Sequence, residues 1–260
     1  MILKTQAIVL RMAPYSETSR IVTWLTAAQG RVATIIKGSQ RPKSPFLGQY
    51  DLFYTCELLF YLRLHQGLHI VKECTPLETR AALRVRWRAA ACASYFTHLV
   101  AQIAPPYAAQ PALFRLLAAA LDAFTETPHL ETCLCWFELQ LMGELGLAPQ
   151  LNACVQCKRA LSAAGPRPFF AGGRGGLLCA SCGGAGGQTA ERIPPDILNL
   201  LRFWQPLRSW EAARRTRCSR AQVRLLQGLL GEFLPQHLEV NLAARALALA
   251  VLNHQLPTSP

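Results

Sequence analysis

Four cysteines in the second half of the chain have the types and spacing of a metal site. They form two Cys-x-x-Cys pairs, Cys154 with Cys157 and Cys179 with Cys182, separated by 21 residues. Two residues between cysteines let one tight turn direct both sulfurs at a single point, and two such turns supply a tetrahedral site that suits Zn²⁺. Four thiolates leave no open position, so the spacing predicts a structural zinc ion. A disulfide pair or a redox motif is the alternative.

The chain around these cysteines is rich in glycine and proline, which argues against a helix there. Four glycines follow the second pair: Gly183, Gly184, Gly186 and Gly187. Glycine tolerates the positive φ angles that metal-binding turns often need, so we expect these residues to serve such turns.

A second group of residues concentrates positive charge in a short segment, Lys37–Pro45, which we call the basic loop. Lys37, Arg41 and Lys43 lie within seven residues, and one glycine and two prolines keep the segment out of regular structure. Such a loop presents cations to phosphates without a base-specific frame. The pattern therefore predicts nucleic-acid contact, with a solvated basic loop as the alternative.

Other cations and rings can extend this contact. Arg20 and Arg31 extend it if they face the same side as the basic loop. Arg80, Arg84 and Arg88 share one face of a predicted helix, so Arg84 and Arg88 are further candidates for DNA contact, with a solvated face as the alternative. Two aromatic residues beside the basic loop, Phe46 and Tyr50, are the candidates for base stacking.

The composition supports a partner with negative charge. The chain has 27 Lys and Arg against 15 Asp and Glu, a net charge of +12. Residues 1–80 carry ten basic and five acidic side chains, and residues 151–190 carry four basic and no acidic ones. A basic protein of this kind is typical of nucleic-acid binding, although a generally basic soluble protein fits the same numbers.

Other classes of function have little support in the sequence. It contains no nucleophile elbow, no phosphate-binding Gly loop ending in Lys-Ser or Lys-Thr, and no paired acids, so we expect that the chain is not an enzyme. No stretch of 18 apolar residues lacks a charge or proline, which predicts no membrane span. Ten cysteines without an export signal indicate a reducing cytoplasm.

The order of elements predicts an α+β protein. Five short β-branched or aromatic runs within the first 75 residues predict a small barrel. From Thr79 the apolar period becomes helical, with helices expected over Thr79–Ala104, from Pro111 to about Thr125, from an N-cap at Thr127, over Pro195–Trp204, from a capping box at Ser219 to about Leu234, and over Leu242–Leu252. We expect one domain at residues 1–78 and a helical domain at 79–260, with a metal-binding insert at 150–188.

Several stretches resemble the bacterial recombination-mediator family RecO. They are Lys4–Arg11 (KTQAIVLR), Tyr15–Thr23 (YSETSRIVT), Gly30–Val32, Lys37–Ser44 (KGSQRPKS) and Gly67–Val71, followed by a helical region and the doubled Cys-x-x-Cys. The resemblance covers nearly the whole chain and is most specific up to about residue 80 and at the cysteines. One departure lies near the C-terminus, where Ala243-Ala244-Arg245 stands in place of a more basic stretch.

The resemblance implies an N-terminal five-stranded OB-fold barrel and a helical C-terminal domain with an inserted zinc-binding segment that has four cysteine ligands. It implies a non-catalytic protein that binds single- and double-stranded DNA, anneals complementary strands, and works with RecR and in many bacteria RecF to help RecA displace single-strand-binding protein. It also implies a pocket for the C-terminal tail of that protein, and a location in the cytoplasm with the nucleoid.

Two alternative functions fit the sequence less well. The first is an RNA-binding translation or ribosome-associated factor, and the second is a scaffold without nucleic-acid affinity.

Overall fold

The computed structural model describes residues 1–63, 67–162, 165–184 and 191–253, and the chain divides into two compact units. The first unit joins Met1–Thr127 with Leu242–Pro260, and the second is Pro128–Asn241. The first two long helices therefore group with the barrel. The domain boundary expected at residue 78 stays a prediction.

Five strands at the N-terminus close into a barrel, as the sequence predicts. Its neighbours follow the order β1-β2-β3-β5-β4, with β4 also paired to β1, and β3 runs parallel to β5. This is the arrangement of an OB-fold. The strands are β1 (Ile2–Pro14), β2 (Arg20–Thr26), β3 (Gly30–Ile36), β4 (Thr55–Tyr61) and β5 (His69–Glu78).

Alternating apolar residues fill the barrel, because successive side chains of a strand point to opposite faces. Trp24 and Phe60 are fully buried in this core, and the Trp24 indole N–H donates to Thr34 Oγ1 at 2.8 Å. At the closing pair of β3 and β5, Thr34 lies beside His69. Burial, and then the charge of Arg63, lower the pKa of His69, which keeps this buried ring neutral.

The helices in the described residues are mostly those that the sequence predicts. Helix α1 packs on α2, on α8 and on β1, whereas α3 packs on α6 and α7. Neither α7 nor any other helix in the described residues has the length and apolar character needed to cross a membrane. The helices are α1 (Trp87–Ile103), α2 (Pro111–Glu126), α3 (Leu130–Glu144), α4 (Ala180–Gly184), α5 (Pro195–Trp204), α6 (Trp210–Ala213), α7 (Arg220–Leu238) and α8 (Ala243–Leu252).

The second unit contains a small sheet that the sequence analysis does not predict, and α4 shows that the expected absence of helix around the cysteines is wrong. Strands β6 (Phe169–Ala171), β7 (Gly176–Leu178) and β8 (Glu191–Arg192) pair in the order β7-β6-β8.

Helix α7 begins with the predicted capping box: Ser219 Oγ accepts from the Gln222 N–H at 3.2 Å, and the Gln222 side chain accepts from the Ser219 N–H at 2.9 Å. It extends to Leu238, four residues past its expected end.

Two helix starts differ from the predictions. Thr127 is not the N-cap of α3, because its N–H donates to Ala123 O and so caps the end of α2; α3 begins at Leu130 with His129 as N-cap. The expected helix over Thr79–Ala104 is wrong in its first part. There Arg80 has a left-handed backbone (φ 46°), Ala81–Arg84 forms one 3-10 turn, and α1 starts at Trp87.

Candidate nucleic-acid interface and metal centre

The basic loop follows β3 at one end of the barrel and exposes all three of its cations. Lys37, Arg41 and Lys43 are each exposed, whereas Ser39 between them is buried, with 1% of its surface accessible. Gly38 has φ +65°, and a Cβ there would contact the Arg41 side chain at 3.4 Å. The loop is thus a compact turn with outward cations, which suits contact with phosphates.

Backbone hydrogen bonds hold the basic loop on the turn between β1 and β2. The Gln40 N–H donates to Thr18 O at 3.0 Å, and the Gly38 N–H donates to Ser19 Oγ at 3.2 Å. Within the loop, the Arg41 N–H donates to Gly38 O at 3.1 Å. These contacts fix the backbone that carries the cations, so little backbone entropy is left to lose on binding.

The structure places Arg20 near the basic loop but not Arg31. Arg20 begins β2 and pairs with Ile36, the residue before the loop. Arg31 lies at the opposite end of β3, roughly 20 Å along the strand from Lys37. Its Nε donates to Ala104 O at 2.9 Å, so its side chain holds the end of α1. A DNA contact by either residue stays a prediction, but only Arg20 adjoins the loop.

The expected stripe of arginines on the first helix is wrong, because these residues do not share a helix. Arg80 is buried and donates to Asp122 at 2.7 Å, to Phe53 O and to Thr55. Arg84 lies on the 3-10 turn and donates to Asp51 Oδ2 at 3.0 Å and to the Tyr54 hydroxyl. Arg88 lies on α1 and donates to Leu252 O at 2.8 Å. Contacts of Arg84 and Arg88 with DNA stay predictions, but the two residues do not share one helix face.

The aromatic residues near the basic loop are placed differently from what the sequence indicates. Tyr50 has 9% of its surface accessible and lies in the barrel core, against which the partly buried Phe46 packs. The prediction that Tyr50 stacks on a base is therefore wrong. Tyr15, in the turn between β1 and β2, is 57% exposed. The signal that the sequence offers for Tyr15 is its position next to Pro14, outside the alternating apolar run of β1.

The four predicted cysteines come together, with their sulfur atoms all within 4.8 Å of one another. A tetrahedral zinc site with Zn–S distances of about 2.3 Å has sulfurs about 3.8 Å apart. The Cys157 and Cys179 sulfurs are 3.8 Å apart, well beyond the bond length of about 2.05 Å in a disulfide. All ten cysteines are free thiols, so the structure holds the four as a candidate metal centre without a disulfide.

Two short turns position the sulfurs. After the first pair, the Lys158 N–H donates to Cys154 O at 2.9 Å, and Lys158 takes the left-handed backbone (φ 60°) that returns the chain. The second pair begins where β7 ends, and the Gly183 N–H donates to Cys179 O at 2.9 Å. The Val155 N–H donates to Leu177 O at 2.8 Å, which ties the first turn to β7.

The two described glycines after the second pair do not take positive φ angles. A Cβ on Gly183 would lie 2.3 Å from the Phe169 ring, so this residue must be small for the ring to pack against α4. Gly184 has open space around it, and neither glycine has a positive φ angle. The prediction that Gly183 and Gly184 adopt positive φ angles is therefore wrong. Gly186 and Gly187 lie outside the described residues.

The surroundings favour thiolates at part of the cluster. Burial opposes ionisation of Cys154, but backbone N–H groups, first that of Cys157 and then that of Cys179, hold its pKa at about 6. The backbone N–H of Cys182 lowers the pKa of Cys179. The hydrogen bond with Cys179, followed by burial, raises the pKa of Cys182 to about 12. A bound cation favours the thiolate form of every ligand, so the donor set fits a metal ion.

The remaining cysteines and acids do not form a second centre. Within the described ranges, the four cysteines are the one group of three or more His, Cys, Asp or Glu side chains close enough to hold a metal ion. Cys133 and Cys135 are buried on α3, where they pack as small apolar residues of the core. Cys218 is only partly buried.

Comparison with known proteins identifies the family. A family model described as Recombination protein O N terminal matches residues 1–80, and one described as Recombination protein O C terminal matches residues 84–246. A protein of Moorella thermoacetica named DNA repair protein RecO is 30% identical over 254 residues, which cover 96% of this chain and 90% of the relative. One of the same name from Anaeromyxobacter sp. (strain K) is 31% identical over 242 residues, covering 93% and 94%. The chain therefore belongs to the RecO family of DNA repair and recombination proteins.

Proposed function

We propose that the chain is a non-catalytic recombination mediator that binds single-stranded and duplex DNA and anneals complementary strands. One observation carries the proposal: in a RecO-family chain, three exposed cations stand on a hydrogen-bonded loop at one end of an OB-fold barrel. Contacts from Lys37, Arg41 and Lys43 to phosphate oxygens require no particular base sequence, which suits a protein that acts on any damaged site.

Annealing follows from the same charges. Two complementary strands repel each other through their phosphates, and cations between them reduce that repulsion while holding both strands close. Each strand keeps its bases free to pair, because the loop binds the backbone. We propose that Arg20, which pairs with the last residue before the loop, adds a fourth cation on this side of the barrel.

The partners in this proposal come from the family. RecR, and RecF where it is present, are the proposed co-workers in loading RecA onto DNA covered by single-strand-binding protein. The second unit, with its helices and the cysteine segment (residues 150–184), is the proposed surface for protein partners, including the tail of single-strand-binding protein. Free thiols at all ten cysteines fit a reducing cytoplasm as the proposed location.

The proposed metal is Zn²⁺ in a structural role. Four sulfurs within 4.8 Å of one another match the donor set of structural zinc sites, and four protein ligands leave no place for a substrate or an activated water. Cys154, Cys157, Cys179 and Cys182 would each bind as thiolate. When bound, the ion supplies a cross-link between the two turns.

Equilibrium binding with a double charge reversal tests the function. Lys37→Glu with Arg41→Glu removes two charge-assisted contacts, each contributing about 1.5–3 kcal/mol, so we expect a loss of affinity for single-stranded DNA of about a hundredfold or more. Arg115→Glu with Arg217→Glu is the matched control, because both side chains are exposed cations outside the loop and the net charge changes equally.

Competition between nucleic acids completes the test. Wild-type protein should bind single-stranded and duplex DNA in the presence of equimolar structured RNA. Preferential binding of the RNA would contradict the mediator function and favour a translation factor. Equal losses in the loop variant and the control would show that overall charge, and not the loop, determines affinity.

A further inference from the structure

The turn between β1 and β2 places an aromatic ring at the same end of the barrel as the basic loop. Pro14 pairs with Arg20, and Arg20 pairs with Ile36, so Tyr15 and Lys37 leave their strands at one end. With neighbouring strands about 4.8 Å apart, the backbones of Pro14 and Ile36 lie roughly 10 Å from each other. That separation is within the reach of one or two nucleotides of an extended strand.

The turn and the basic loop form one hydrogen-bonded structure. The backbone N–H groups of Tyr15 and Ser16 both donate to Ser19 O, at 3.0 and 3.2 Å. The Ser19 hydroxyl in turn accepts from the Gly38 N–H, and this serine is buried. The position of Tyr15 relative to the cations is therefore set by backbone contacts and not by a flexible linker.

In the described part of the chain, the ring of Tyr15 makes no contact that would indicate a structural role. It is 57% exposed, and within the described residues no hydrogen bond, ion pair or ring contact involves its side chain. By contrast, Tyr50 and Tyr54, which follow the basic loop in the chain, pack into the barrel core. An exposed ring on a fixed backbone, at the same end of the barrel as three cations, combines the two features that bind single strands: a stacking platform and a charged track.

We propose that Tyr15 stacks on an unpaired nucleobase of the strand whose phosphates contact the basic loop. The inference rests on the proposed function and deepens it, because it names a determinant of preference for single strands. In duplex DNA the bases are already paired and stacked on one another, so the ring gains a base only from a single strand. Stacking is tolerant of sequence, since every base has an aromatic face.

Binding of two oligonucleotides with equal numbers of phosphates separates stacking from charge. Fluorescence anisotropy compares oligo(dT) with an oligomer of the same length that carries abasic sites. We expect Tyr15→Ala to weaken oligo(dT) binding about fivefold or more, the equivalent of losing one stacked base. Binding of the abasic oligomer and of blunt duplex should not change, and Tyr15→Trp should restore oligo(dT) affinity.

Tyr61→Ala is the matched control. Tyr61 is another exposed tyrosine of the barrel, 42% accessible, but it pairs with Ile2 at the opposite end of β1 from Tyr15. Its replacement should leave all affinities unchanged. Thermal midpoints of the variants show whether each one folds.

The outcomes distinguish this inference from the proposed function. Equal weakening on both oligonucleotides, or unchanged oligo(dT) affinity in Tyr15→Ala, overturns stacking. If the charge reversal in the basic loop still weakens binding in that case, the proposed function stands without this residue. If wild-type protein binds neither DNA form, both proposals fail.

Discussion

The barrel and the cysteine segment, residues 150–184, keep their shapes by different means. The barrel has five strands of seven or more residues, closed on themselves around an apolar core that includes Trp24 and Phe60. The cysteine segment has two strands of three residues each, and the buried cluster around its sulfurs consists of Cys154 and Cys179 with only two other residues, Ala171 and Leu178. The first fold follows from apolar burial, whereas we propose that the second depends on a metal ion bound by its four sulfurs.

In our proposal this difference separates stability from function within one chain. A metal ion bound by the four cysteines cross-links one region, and the cations that contact DNA stand on the other region, which needs no metal. Removing the metal should therefore unfold one region and spare the other, and each prediction below perturbs one side of this comparison.

Loss of a metal ligand should have the largest effect. Loss of an outer-shell partner alone costs about 10–100-fold in metal affinity, so Cys179→Ser should cost more, and Cys218→Ser, outside the cluster, should cost nothing. Hydrogen exchange provides the local readout. The Val155 and Leu177 amides, bonded to Leu177 O and Gln150 O, should lose protection, while the amides of β2 keep theirs. Unchanged protection after metal removal would contradict the comparison.

The close approach at Gly183 should give a smaller effect. Gly183→Ala places a methyl group against the Phe169 ring, and such overpacking costs about 1–3 kcal/mol, so we expect weaker metal binding and a lower unfolding midpoint for the segment. Gly184→Ala is the matched control, because open space surrounds that residue and alanine favours a helix. Equal effects of the two substitutions would refute the packing explanation.

The barrel and the metal ligands were predictable because each has a short-range signal. Alternating apolar residues indicate strands, and the doubled Cys-x-x-Cys fixes four ligands by spacing alone. The start of α7 was predictable for the same reason, since Ser219 and Gln222 cap it through contacts only three residues apart.

Long-range contacts explain most of the differences. The sequence around Arg80 favours a helix, but its buried side chain bonds to Asp122, 42 residues away, and its backbone is left-handed. Strands β6 to β8 have two or three residues each, which is too short for an alternating pattern to appear. Tyr50 has no local signal of burial, because it is the path of the chain after the basic loop that carries its ring into the barrel core.

The salt dependence of DNA binding tests the central claim most directly. Each phosphate contact to single-stranded DNA contributes about 0.7 to the slope of log K against log salt concentration. The variant with Lys37→Glu and Arg41→Glu should therefore show a slope flatter by about 1.4, while the control with Arg115→Glu and Arg217→Glu keeps the wild-type slope. A loop variant with the wild-type slope would contradict the account, because its cations would then make no contact with phosphate.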